Sequence, residues 1–83
     1  MHLKILRTDL RLFLTKHNLN KKWSKVEKLF VIDIRHPSLH VELLEPHWHG
    51  IYSLRIDNKY RALFFISNAE AEIFQITNHY RKS

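Results

Sequence analysis

The stretch that decides the fold runs Gly50-Ile51-Tyr52-Ser53-Leu54-Arg55-Ile56-Asp57-Asn58-Lys59-Tyr60-Arg61-Ala62-Leu63-Phe64-Phe65-Ile66. Residues 51–56 and 60–66 are rich in β-branched and aromatic side chains. The polar Asp57-Asn58-Lys59 between them has the length of a hairpin turn. A strand turns successive side chains to opposite faces. Tyr52, Leu54 and Ile56 therefore share one face, and Ser53 and Arg55 the other. On the partner strand Arg61, Leu63 and Phe65 lie opposite to Tyr60, Ala62, Phe64 and Ile66. Arginines on central strands are unusual, because a half-buried guanidinium needs a carboxylate or a ligand. Glu42, Glu45 and Glu72 are candidate partners in a purely structural role, and an anionic ligand is the alternative.

Outward from the hairpin, a polar turn at 67–70 leads into a third β-rich run, 71–77. Upstream, residues 2–6 alternate weakly and predict a first strand. Thr8 or Asp9 can cap a short helix with Leu10, Phe13 and Leu14 on its apolar face. Asn18 ends that helix and Asn20 caps the next. The second helix sets Trp23, Val26, Phe30 and Ile34 along one stripe, with Lys21, Lys25 and Lys28 on another face. Pro37 disfavours helix at His36 and should stop it there. Residues 37–50 are irregular, with at most a short extended piece around 39–43. The order β-α-α-β-β-β predicts an α+β fold over a single domain, 1–83. Two N-terminal helices pack on one face of a small, mainly antiparallel, four-stranded sheet.

Composition narrows the function. With 83 residues and 45% hydrophobic side chains the chain can bury one modest core. There is no cysteine, which excludes a disulfide scaffold and a thiolate metal site. No apolar run has the length of a membrane span and no signal pattern opens the chain, so the cytoplasm is expected. Fourteen Lys and Arg against eight Asp and Glu give a net charge of +6, which suits a polyanionic partner. His36, His40, His47 and His49 are potential metal ligands. Pro37 keeps the first two off a common helical face and no carboxylate spacing completes a familiar pattern, so neither metal nor cofactor is expected. The tail brings Asn78, His79, Tyr80 and Arg81 directly after the last run. Imidazole exchanges protons near neutral pH and a phenol ring can stack; read without context, the same residues merely cover an edge of the core.

The pattern Gly50-x-Tyr52-Ser53-x-Arg55-Ile56, followed by Arg61 and Phe64, resembles the signature of RelE/ParE-type toxins. The ending Asn78-His79-Tyr80 resembles the YoeB-like ribonuclease branch. The likeness covers roughly residues 37–81, and the two helices fit the family layout without motifs of their own. Residue by residue, it implies Arg61 as the catalytic arginine, eleven positions after Gly50, and Glu42 as the catalytic glutamate, eight before it, with Glu45 an alternative. It further implies His79 as the terminal acid, Tyr80 as its neighbour and Arg55 as a phosphate contact. Arg81 and the Lys21, Lys25, Lys28 face add RNA-binding charge. The lysine that often accompanies the 43–50 loop in ribonuclease members is absent here.

The chemistry implied is metal-free cleavage of messenger RNA, expected on the ribosome, by a toxin whose partner is a cognate antitoxin protein. Glu42 takes the 2′-hydroxyl proton, Arg61 stabilises the phosphorane and His79 protonates the departing 5′-oxygen. Two other readings share the fold: a ParE-like toxin that binds a DNA topoisomerase and cleaves nothing, and a degenerate member that only binds RNA or antitoxin.

Overall fold

The computed structural model describes residues 1–78. A short strand β1 (His2–Leu3) is followed by helices α1 (Thr8–Lys16) and α2 (Asn20–Ile32). Strands β2 (Glu42–Leu43), β3 (Tyr52–Arg55), β4 (Arg61–Ser67) and β5 (Glu70–Thr77) complete one sheet in the order β1-β5-β4-β3-β2. The β1–β5 pair is parallel and the others are antiparallel. The sheet thus has five strands where four were expected. The addition is β2, a two-residue piece in which Glu42 faces Ser53 and Leu43 faces Tyr52; two residues carry no readable period.

Both helices pack on the face built by Leu54, Ala62, Phe64, Ala71, Ile73 and Ile76, all buried. Leu10 and Leu14 come from α1, and Trp23, Val26 and Phe30 from α2. Phe30 and Phe64 are fully buried and meet edge to face at 5.5 Å, with Tyr52 stacked on Phe64 at 5.3 Å. On β5 Ile73 pairs with Phe64 and Gln75 with Leu63, leaving Phe74 as the extra residue of a bulge. The bulge resets the alternation, so Ile73 and Ile76 both reach the core despite being three apart.

The helix boundaries depart from expectation in three places. Thr8 and Asp9 lie inside α1, whose cap residue Arg7 makes no side-chain cap bond. Asp9 instead pairs with the Arg7 guanidinium through two 2.9 Å hydrogen bonds, and Arg7 Nη2 also donates to the Phe74 carbonyl at 3.1 Å. Asn18, with φ 56°, ends α1 as expected, its neighbour Leu19 donating to the Leu14 carbonyl at 2.8 Å. Asn20 is the first residue of α2 rather than its cap. That helix ends at Ile32, short of His36, because the Asp33 carboxylate accepts the Arg35 N–H at 3.0 Å and its carbonyl accepts that of His36. A side chain that satisfies the backbone locally competes with the next helical turn. Ile34 still packs against the core from outside the helix.

The β4–β5 turn places Asn68 at φ 54° and Ala69 at φ 62°, the left-handed pair typical of a tight hairpin. Alanine there costs about 1–2 kcal/mol, while glycine loses roughly 0.5–1 kcal/mol more chain entropy on folding. Ala69→Gly is therefore expected to stabilise the protein by about 0.5–1 kcal/mol. In a domain of this size that raises the melting temperature by roughly 2–8 °C, which a thermal melt by circular dichroism measures.

Candidate nucleic-acid interface

Because the helices cover one face, the residues that alternate away from them share the open face. Arg55 and Arg61 are direct cross-strand partners there. Like charges set opposite one another destabilise a sheet unless something compensates. Each guanidinium is held by neutral oxygen acceptors. Arg61 Nε and Nη2 donate to Ser53 Oγ at 3.2 and 3.0 Å, and Nη2 donates to the His40 carbonyl at 2.7 Å. Arg55 Nη2 donates to Asn58 Oδ1. Ser53 is fully buried and lies between Glu42 and Leu63 across the sheet, so its hydroxyl fixes the arginine from below.

His40 has φ 45° and ψ 52°. That left-handed backbone, which histidine adopts more readily than most residues, turns its carbonyl toward Arg61. The result is an open cleft of about 520 Å³ lined by His40, Arg55, Asp57, Asn58, Lys59, Arg61 and Asn78. Its chemistry suits a phosphodiester: planar guanidinium forks for oxygens, with neutral amides beside them.

The turn below the cleft is pinned by one carboxylate. Asp57 Oδ1 accepts the N–H groups of Lys59 and Tyr60 at 2.8 and 2.7 Å, and Oδ2 accepts Lys22 Nζ from α2 at 3.0 Å. Partial burial pushes the Asp57 pKa up, but the two N–H donors and the ammonium outweigh it, and the group sits below its ordinary 3.8.

Glu42 lies on this face, since directly opposed residues project to the same side and Ser53 is on it. Glu45 falls past the end of β2 and is exposed. Glu72 pairs with Lys4 at 3.2 Å. The structure therefore brings Glu42, Arg55 and Arg61 onto one surface. It does not add Lys21, Lys25 and Lys28, which point to solvent from α2 on the other side of the sheet. His79, Tyr80 and Arg81 lie outside the described residues. Ser53, His40 and Lys59 were not assigned to the site from sequence. Alternation put Ser53 on the arginine face, but a serine in a strand carries no signal of what it binds. Among the described residues no three His, Cys, Asp or Glu gather as a metal site. No described helix is long and apolar enough to cross a membrane.

No family model matches the sequence and no curated protein matches it. Solved structures do. A YoeB/ParE toxin from Agrobacterium tumefaciens superimposes with a TM-score of 0.72 over 96% of this chain and 100% of its own, at 20% identity. The YoeB dimer from Staphylococcus aureus gives 0.69 over 95% and 94%, at 17% identity. YoeB in its heterotetrameric complex with YefM, from the same organism, gives 0.67 over the same shares at 17% identity. The fold is thus that of the YoeB/ParE toxins, as the motif in the β3–β4 hairpin implied.

The pinned turn yields a pH prediction. Because the Asp57 pKa is lowered in the folded state, its contribution to stability is complete above the unfolded value near 4 and is lost as pH falls through the folded value. Asp57→Asn should therefore narrow its stability gap to the parent protein as the pH drops from about 5 toward 2. Urea titrations at stepped pH measure that gap.

Proposed function

We propose that this chain is the toxin of a type II toxin–antitoxin pair and a metal-independent endoribonuclease that cuts messenger RNA on the ribosome, in the cytoplasm. The observation that carries the reading is the cross-strand pair Arg55 and Arg61, mounted on Ser53 and the His40 carbonyl, with Glu42 on the same face. Two opposed cations on a sheet face that no described helix covers are an arrangement that a bound phosphate stabilises.

In this reading Glu42 removes the proton of a 2′-hydroxyl, and the freed oxygen attacks the adjacent phosphorus. Arg61 bears the charge that develops on the phosphorane oxygens. His79 gives a proton to the departing 5′-oxygen, and Tyr80 orients the nucleotide. The products are a 2′,3′-cyclic phosphate and a free 5′-hydroxyl. Arg55 and Arg81 hold flanking phosphates. The neighbour that is complexed with YefM supports an antitoxin as the partner here, and a basic cleft suits an acidic one.

Arg61→Lys keeps the charge and loses the planar fork. Cleavage on programmed ribosomes is expected to fall by about 10²-fold or more if the donor serves the transition state, with binding little changed. A variant that melts lower but cleaves at the parental rate would assign Arg61 to a structural role. The Lys21, Lys25, Lys28 face extends the RNA contact along α2, whose Lys22 reaches Asp57 in the cleft lining. Replacing all three with Gln should reduce the salt dependence of ribosome binding, by about one unit of slope per lost phosphate contact. An unchanged slope returns these lysines to solvent.

A further inference from the structure

The loop that closes the β2–β3 hairpin carries Trp48, whose indole is 81% exposed, whereas the second tryptophan, Trp23, is 6% exposed. Scattered exposed aliphatic residues need no explanation, but this ring stands on a built pedestal. His47–His49 forms a 3-10 turn in which the His49 N–H donates to the Pro46 carbonyl and the Gly50 N–H to that of His47, both at 3.1 Å. Leu44 donates to the Ile51 carbonyl at 2.8 Å and closes the loop base. Gly50 takes φ 67°, which an L side chain rarely adopts, to bring the chain back into β3. The His49 ring packs edge-on against the indole with centroids 4.0 Å apart. A ring fixed in this way loses little freedom when a second ring stacks on it.

The loop between Leu43 and Gly50 has no lysine or arginine; its exposed residues are Glu45, Pro46, His47, Trp48 and His49. It cannot hold RNA through fixed phosphate pairs, and it offers flat aromatic surface instead. The same hairpin presents Glu42, Ser53 and Arg55. From Tyr52 to Arg55 the strand rises only about 10 Å, so a strand of RNA anchored on Arg55 and Arg61 comes level with the loop within a few nucleotides.

We infer that Trp48 is a stacking platform for an unpaired RNA base, with His49 as its buttress. The inference rests on the RNA reading of the arginine cleft. It makes the loop a contributor to affinity without charge, since every base has a face to stack.

Tryptophan emission tests it directly, because Trp23 is buried. Single-stranded oligoadenylate, titrated at low salt into the full-length protein, is expected to quench the emission of the parent and leave that of Trp48→Phe, which retains only Trp23, unmoved. Binding of the labelled oligonucleotide should weaken roughly 5- to 150-fold in Trp48→Ala, the loss expected of one stacked base, and less in Trp48→Phe. The slope of log affinity against log salt should stay the same in both variants, since no phosphate contact is removed. Parental affinity in Trp48→Ala, with thermal melts showing both variants folded, overturns the stacking role and leaves the proposed function standing. Parental RNA affinity combined with lost binding to an acidic protein partner overturns it in favour of a protein contact. Absence of oligonucleotide binding by the parent protein overturns the RNA reading and the platform together.

Discussion

The edge-to-face contact of Phe30 with Phe64 joins helix to sheet, and the remaining layers are arranged around it. Both rings are fully buried, and burial of one such side chain contributes about 1.5–3 kcal/mol. With Leu10 and Leu14 of α1 and Trp23 and Val26 of α2 gathered on the same side, the helices are both committed to one face of the sheet. Among the described residues no helix covers the other face. That face carries Glu42, Ser53, Arg55 and Arg61.

The open face is not simply what the core leaves over. Arg55 and Arg61 stand opposite each other, an arrangement that costs stability, and the sheet supports it with specific acceptors. A buried serine hydroxyl receives two donors of one guanidinium, and the residue that receives the third hydrogen bond, His40, sits in the left-handed region. Backbone strain of that kind is of order 1–3 kcal/mol and persists where the surroundings hold it. Here the 3-10 turn Pro37–Leu39 precedes it, with Leu39 fully buried beneath.

The two basic regions of the molecule lie on different elements. The arginine cleft opens on the uncovered face, while the α2 lysines face solvent beyond the helical layer. Lys22 is the exception within that helix. Its ammonium crosses to Asp57 and ties the start of α2 to the hairpin turn under the cleft. The pair is half exposed on the lysine side, so it orients the turn more than it stabilises the fold.

The layers and the division of the hairpin are legible in the residue pattern alone. Strict alternation from Tyr52 to Ile66 separates the apolar face from the arginine face whatever surrounds it, because the period of a strand is two. The helical stripe Trp23, Val26, Phe30 likewise has one solution. Helix ends were less legible: the Asx-type bond of Asp33 stopped α2 before Pro37 could, since a short polar side chain can satisfy the backbone several ways. The two-residue β2 lay below the length at which any period can be read. Folding sets the rest: Glu42 lies opposite Ser53, Ser53 holds Arg61, and His40 brings a carbonyl rather than an imidazole to that guanidinium. Those are contacts between segments 8 to 21 residues apart, and their geometry depends on strand register and on one left-handed backbone, neither of which is written in the residue types.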